Sequence, residues 1–358
     1  MSSPEAFVRI KNLRGDIDQS ITNFLDGSTG YIRSIGVELA PVADAMSSFL
    51  LDGGKRFRPL LSCIGSIAAS GDQPSKEIIA ASSCLELLHA CALIHDDLMD
   101  GSDTRRGNPA IHKLFEELHR KNSLSGDSQR YGVASAILLG DLALIWADQM
   151  LHTAGLEQGQ LLGALAIYDE LRVELMAGQY LDVHEQSLAT TDLQRSLKVA
   201  SYKSGKYSIE RPLHFGAKLA GADDHIFPAL SGFGIPIGEA FQLRDDLLGV
   251  FGDPSQTGKP AGDDLREGKA TVLIALTYAG TGESGKKELK SLGKADLDGA
   301  AITKLQEVII SSGAVVKVEE MIRQRAEMAE VALSSPLIAA EAKPLLQTMA
   351  EMALVRSS

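Results

Sequence analysis

Positive charge is scarce in this chain. Its 358 residues carry 35 lysines and arginines against 47 aspartates and glutamates, a net charge of -12. A generic nucleic-acid or anionic-membrane binder needs the opposite balance. Any anionic ligand must therefore be met by local basic clusters working against the overall field. Cysteine is scarce too. Cys63, Cys84 and Cys91 sit in apolar stretches and match no zinc spacing, which reads as buried, reduced thiols of an intracellular protein. The start, residues 1–16, has no apolar signal core, and no stretch is read as approaching the ~20 apolar residues of a membrane span. No strand pattern stands out. These absences leave a soluble, cytoplasmic, all-α chain. With 44% hydrophobic residues it has material for a sizeable core, and its length admits two domains or one large helical one.

The stretch around which the rest is organised is Leu85–Arg106, LELLHACALIHDDLMDGSDTRR. An apolar helical run delivers Asp96, Asp97 and Asp100 to one end. Asp96 and Asp100 are four apart and Asp97 and Asp100 three apart, so a helix puts them on one face. Like charges repel there, and no lysine or arginine lies within a turn upstream. Something cationic must come from elsewhere, and a hard divalent metal such as Mg²⁺ with oxygen ligands is the economical choice. A solvated acidic helix end would show the same letters. The pattern returns at FQLRDDLLG, where Asp245 and Asp246 close a second apolar run 149 residues after Asp96. Gly249 stands where a third aspartate would be. Recurrence weakens the solvated-end reading for both.

The first 50 residues read as two helices broken at Gly27–Gly30. Gly53 and Gly54 then permit an unusual backbone path, and Lys55, Arg56 and Arg58 follow at the start of a helix with Pro59 in its first turn. Cations beside free N–H groups suit a phosphate, although a basic surface cap reads the same way. Below Asp96, stepping in fours, come Ala92 and Leu88, the latter about 12 Å away at the helical rise. With small Cys91 alongside, a slot could run down this wall, or ordinary packing could fill it. His89 reads either as a buried structural histidine or as a donor to phosphate. The helix over 159–185 carries Glu174, Gln179, Asp182 and Glu185; some of these could face a cavity, but a solvated face is the first reading. Lys203 precedes Ser204-Gly205, while Lys206 and Arg211 read as surface charges and Pro212 as a possible kink. Residues 251–270 are rich in glycine and proline, a flap with Lys259 and Lys269. Helices follow to the end, interrupted at Pro336 and Pro344.

Taken together, GGKRFRP at 53–59, DDLMD at 96–100 with RRG at 105–107, KSG at 203–205, FQLRDD at 241–246 and GKPAGDDLREGK at 258–269 resemble the trans-isoprenyl diphosphate synthases, or polyprenyl synthetases. The resemblance implies a single helical domain over 1–358, a bundle around a deep central cavity. Its motifs fall in about 50–275 and helices occupy 276–358. It implies a homodimer, Mg²⁺, and condensation of isopentenyl diphosphate with an allylic diphosphate. It makes Asp96, Asp97, Asp100, Asp245, Asp246 and Lys203 the catalytic centre, with Asp96, Asp100 and Asp245 as metal ligands. Lys55, Arg58, His89 and Arg106 fall to isopentenyl diphosphate, and Arg105, Lys203, Gln242, Lys259 and Lys269 to the allylic diphosphate. Ser204 replaces the usual threonine, and Gly249 puts a ligand at its position in doubt.

Ionising an allylic diphosphate needs cations around the leaving group and a dry pocket for the carbocation. In this family, bulky residues four and five positions before the first aspartate shorten the product. Here those are Ala92 and Cys91, which points to geranylgeranyl diphosphate with Leu88 in the floor; farnesyl or longer products are the alternatives. Three rivals remain. An HD-type phosphohydrolase would use His95-Asp96 with His89 and His112. A terpene cyclase would have no need of Lys55 and Arg58. A non-catalytic partner subunit would be inactive alone.

Overall fold

The computed structural model describes residues 4–253, 261–294 and 297–354. Helices dominate them. The first half comprises α1 (Pro4–Ile35), α2 (Ala40–Leu51), α3 (Phe57–Ser70), α4 (Lys76–Asp100), α5 (Ile111–Lys121), α6 (Ser128–His152) and α7 (Gln158–Leu188). Next, α8 (Leu193–Ala200), a π-helical segment (Ser201–Glu210) and α9 (Arg211–Leu219) follow one another without a loop. Beyond them lie α10 (Phe227–Phe251), α11 (Asp263–Glu267), α12 (Val272–Gly280), α13 (Glu283–Leu289), α14 (Gly299–Ser311), α15 (Ala314–Ala332) and α16 (Lys343–Leu354). The all-α expectation holds, with one small exception: Thr104–Arg105 pairs antiparallel with Asn108–Pro109 in a tight turn after α4.

The expected break at Gly27–Gly30 is wrong. α1 runs through both glycines because its buried stripe, Ile10, Leu13, Ile17, Ile21 and Leu25, keeps helical period to that point. An exposed glycine inside a helix costs only ~1 kcal/mol. The break comes at Gly36, whose backbone is extended, before Pro41 in the first turn of α2. Elsewhere the chain ends its helices with local chemistry. The Ser75 hydroxyl caps α4 by accepting from the Ile78 N–H, and Asp127 caps α6 through the Arg130 N–H. Each such cap contributes ~1 kcal/mol.

α4 is the central element. It packs on α6, α3, α1 and α9 and is buried nearly all round from Ala81 to Leu88, as a helix in the middle of a bundle must be. α10 lies against the π segment and α15, and joins the core around α4 to a second apolar cluster with Val272, Leu273, Leu305 and Val318. By length and composition α4 and α6 are both apolar enough to cross a membrane, which corrects the expectation that no stretch comes close. α4 is accounted for by its place inside the bundle. The three cysteines are buried and free, as expected.

Candidate active site

The C-terminal ends of α4 and α10 open on one cavity of about 870 Å³. Asp96, Gln179, Asp182, Lys203, Gln242, Asp245, Asp246, Gly249, Asp264 and Lys269 line one part of it, and Lys55, Arg58, His89 and Arg106 another. Most of the sequence-predicted groups are thus brought together from segments up to 214 residues apart, Lys55 to Lys269; Asp97 and Asp100 are not among the lining, although Asp100 lies 3.3 Å from Lys269. Lys259 lies outside the described residues.

The three aspartates of α4 do not share one role. Asp96 faces the cavity. It accepts from Gln179 Nε2 at 2.7 Å and Lys203 Nζ at 3.2 Å, with Arg105 Nη2 at 3.9 Å. Burial pushes its carboxyl up, but Lys203, Lys269 and Arg105 outweigh it and hold the group at about 2. Asp97 turns away from that face. It is fully buried and bound by Arg105, whose Nε donates at 2.9 and 3.1 Å. α4 stays helical through Asp100, so Asp97 and Asp100 keep the spacing expected of them, but the Asp97 carboxylate is taken up by Arg105 and is not among the groups lining the cavity. Asp100 is pushed up to about 6, mainly by burial. Its Oδ2 makes no well-formed hydrogen bond and lies 3.3 Å from Lys269 Nζ. The cation demanded by this acidic end comes from Lys203 and Lys269, 107 and 173 residues downstream of Asp96.

The second motif is balanced differently. Asp246 is buried beside Asp264, Asp245 and Asp182 and receives only an amide, Gln242 Nε2 at 2.7 Å. Burial first, and those acids next, push it up to about 8. The Ser204 hydroxyl donates to Gln242 Oε1 and fixes that amide's orientation. The Lys203–Gly205 stretch lies in the π segment, pinched between two helices. A Cβ at Gly178 would come within 2.7 Å of the Lys203 nitrogen, and one at Gly238 would overlap the Gly205 backbone. Only glycine lets α7 and α10 approach this closely, and a π turn inside a helix often marks a functional site.

At the basic end, Gly53 (φ +82°) and Gly54 (φ +94°) take the backbone path that the sequence suggested. The three cations then divide. Lys55 and Arg58 face the cavity. Arg56, left-handed at φ +51°, also borders the cavity but is buried and clamped by Asp18 at 2.7 Å, Glu86 at 2.9 Å and the Leu50 carbonyl at 2.7 Å. It holds the loop and is not free for a ligand. Arg58 lies over the Tyr207 ring at 4.3 Å and donates to Ser208 Oγ at 2.7 Å, while its Nε is buried without a partner. Burial and the charges of Arg58, Arg106, Arg105 and Arg56 keep His89 neutral, its Nδ1 3.4 Å from the Tyr207 hydroxyl. Four guanidiniums depressing one imidazole is the field an anion would enter.

Several residues were misjudged from the sequence. Gln179 and Asp182 are site residues, not a solvated face; Asp182 accepts from Lys203 at 2.6 Å. Their spacing of three was visible, but their partners come from the π segment. Glu174 pairs with Lys206 and Arg211, and Glu185 with Arg195, so the surface reading of Lys206 and Arg211 is also wrong. Tyr207 had no signal, and Asp264 lay within the GKPAGDDLREGK stretch without being given a role. His95 turns toward α6, with Nε2 3.2 Å from the Ile137 carbonyl, which removes it from an HD-type centre. Ala92 lines the cavity; Leu88 is fully buried below it, and the Cys91 thiol points to His95 Nδ1 at 3.8 Å.

The donor set suits a hard divalent cation. All the cavity acids are carboxylates, and Asp100 and Asp246 carry a burial penalty that positive charge would relieve. Among the described residues no three ligating side chains converge to hold an ion alone. That fits Mg²⁺, which takes one or two carboxylates and completes its shell with water and substrate phosphates.

A sequence model of the polyprenyl synthetase family matches residues 40–309. A geranylfarnesyl diphosphate synthase of Aeropyrum pernix is 32% identical over 308 residues, 85% of this chain and 91% of that protein. A geranylgeranyl diphosphate synthase of Sulfolobus acidocaldarius is 32% identical over 304 residues, 84% of each. The crystal structure of a geranylgeranyl pyrophosphate synthase from Corynebacterium glutamicum, complexed with isoprenyl diphosphate and magnesium, superposes with a TM-score of 0.92. It is 39% identical, over 96% of this chain and 99% of that one.

Proposed function

The chain belongs to the polyprenyl synthetase family and is a prenyltransferase, and on that premise we propose that it condenses isopentenyl diphosphate head-to-tail with an allylic diphosphate to give geranylgeranyl diphosphate. One observation carries this reading: a single cavity is lined at one part by carboxylates from two helix ends and at another by a cluster of cations with few acids. Two diphosphates with different needs fit these two regions. The one that ionises requires stabilisation of its developing charge. When bound by Asp96, Asp100 and Asp245, Mg²⁺ supplies that stabilisation as a Lewis acid. Lys203, Lys269 and Gln242 position the same diphosphate. The one that does not ionise needs only positional binding, which Lys55, Arg58, His89 and Arg106 provide, with Arg56 and Tyr207 holding that cluster in place. Arg105 acts chiefly through Asp97.

The allylic chain runs down α4 past Ala92, with the buried Leu88 below. Small Ala92 supports a product longer than farnesyl. Cys91, with its thiol toward α6, contributes by its small size beside that wall. Ala92→Phe should shorten the product by one or two isoprene units, read by sizing the dephosphorylated alcohols.

The reading treats the chain as one catalytic domain, supported by the packing of α10 on α15, and as a homodimer. α6 exposes Ile137, Leu138 and Ile145, and α7 exposes Val173, Met176 and Tyr180. Both sets recur at helical spacing, which makes two apolar stripes suited to a second copy. Sedimentation should give a dimer, and Leu138→Lys should weaken it.

The deciding experiment incubates the protein with isopentenyl diphosphate, Mg²⁺ and, separately, dimethylallyl, geranyl and farnesyl diphosphates. A twenty-carbon product supports the whole reading. A fifteen-carbon end product keeps the reaction and overturns the pocket depth. No condensation with any starter overturns the catalytic reading in favour of a partner subunit.

A further inference from the structure

Lys55 and Arg58 reach the cavity from a loop that is held from outside. Gly53, Gly54 and Arg56 all take positive φ, and for Arg56, which carries a side chain, that backbone is strained. Glu86 of α4 and the Leu50 carbonyl at the end of α2 supply part of the hold. The rest comes from α1, through two side chains one turn apart. Asp18 Oδ1 accepts from Arg56 Nε at 2.7 Å, and Arg14 Nη2 donates to the Gly54 carbonyl at 3.1 Å. Arg14 and Asp18 also face each other at 3.8 Å. Their side chains are 48% and 41% exposed, on a helix whose buried stripe runs through Leu13, Ile17 and Ile21. That stripe anchors α1, and an ion pair at this exposure adds little to stability. What the pair controls is local. The Gly54 carbonyl belongs to the planar unit that carries the Lys55 N–H, so Arg14 fixes the plane from which Lys55 starts. The Arg56 carbonyl accepts from the Leu60 N–H at 3.0 Å and so opens α3. Arg58 stands in that first turn, its Nε buried without a partner.

We propose that Asp18 and Arg14 are positioning residues for isopentenyl diphosphate, and that α1 is a working part of that site although neither side chain lines the cavity. Asp18 acts through the Arg56 guanidinium and Arg14 through the Gly54 carbonyl. Together they aim Lys55 and Arg58. The inference rests on the reading of Lys55, Arg58, His89 and Arg106 as the place of the diphosphate that does not ionise. It adds that this place is shaped from the N-terminal helix. The acidic part of the cavity is built instead on α4, α7, the π segment, α10 and α11. Loosening the grip of α1 therefore affects the two substrates unequally.

The test pairs steady-state kinetics with calorimetric binding of isopentenyl diphosphate alone, without Mg²⁺. Asp18→Ala should raise both the KM and the Kd for isopentenyl diphosphate about tenfold, with the KM for the allylic diphosphate and kcat within a factor of about two. Arg14→Met should act in the same direction, by about threefold. Asp18→Asn keeps an acceptor for Arg56 Nε and should lose less than Asp18→Ala. The melting temperature of each variant should fall by no more than about 3 °C. An unchanged KM and Kd for isopentenyl diphosphate in both Asp18→Ala and Arg14→Met overturns the inference. So does a loss shared equally by the two substrates, or one confined to kcat and melting temperature, because a merely structural contact gives that result. If the unaltered protein binds no isopentenyl diphosphate, the reading of the basic region falls, and the inference falls with it.

Discussion

Lys203 and Lys206 leave the same π segment in different directions and join charge clusters of opposite character. Lys206 meets Glu174 at 2.7 Å, and Arg211 grips Glu174 and Glu170 at 2.7 and 2.6 Å. Two acids face two bases. His214 and Ser231 extend the network to Glu210. Lys203 and Lys269, by contrast, are shared among five carboxylates: Asp96, Asp182, Asp100, Asp264 and Glu267. Asp245 and Asp246 line the same cavity. A cluster whose charges are nearly matched inside the chain holds helices together. A cluster that keeps an excess of one sign, at the mouth of a cavity, is arranged for something that brings the other sign.

The contrast is breakable by substitution. The largest effect falls on the unbalanced cluster. Asp96→Asn should lower turnover about 1,000-fold, as expected for loss of a transition-state charge contact. The melting temperature without ligand should fall only modestly, because Asp96 attracts Lys203, Lys269 and Arg105, and these cations keep other carboxylate partners. A large fall in melting temperature with little change in turnover would reverse the assignment. Next comes Arg211→Met in the balanced cluster. Breaking a buried pair leaves its partners uncompensated and should cost about 3 kcal/mol of stability in denaturant titration, while turnover well below the melting point stays within a factor of about two. Lys203→Met against Lys206→Met is the sharpest pairing. The first should lose about tenfold in turnover and the second should lose stability alone.

The smallest effect is one of pH. Burial first, and the Arg211 charge next, hold the His214 imidazole at about 4, below its ordinary value near ~6.5. As pH falls, the unfolded chain takes up that proton before the folded one. Stability present above about 6.5 is therefore lost progressively toward 4, by ~1 kcal/mol at about pH 5.5. The groups facing His214 are Arg211, Ser231, Lys206, Glu174 and the stacked Phe227 ring. His214→Gln should flatten this acid slope in urea titrations at a series of pH values.

The sequence was informative where a residue's role depends on its own helix. The run into Asp96 and the one into Asp245 were legible because period and end are local properties. Gly53 and Gly54 were legible because few other residues take that backbone. The break in α1 was misplaced because glycine is a weak signal inside a stripe as regular as Ile10 to Leu25. Gln179, Asp182, Lys206 and Arg211 were misread because their partners sit on other elements, and an unpaired charge on a helical wheel looks solvated. Asp264 sat in a quoted motif but was given no role for a related reason: only the fold shows that its carboxylate lies beside Gly249. That Asp97 would be taken up by Arg105 was not legible, because it depended on where the turn after α4 would carry that guanidinium.

The ten-residue π segment also bears on how this chain can change by insertion and deletion. Its hydrogen bonds skip one residue more than those of an α-helix. Loss of a single residue there would leave a continuous helix, with no gap or loop to betray it. The helices on either side could keep their facing, since the wider turn is what absorbs the extra residue, but the residues inside the segment would move to other faces. Lys203 and Lys206 could then no longer serve their separate clusters, although every side chain in the motif survived. The frame in which those residues are counted is thus part of the site, as much as their identities.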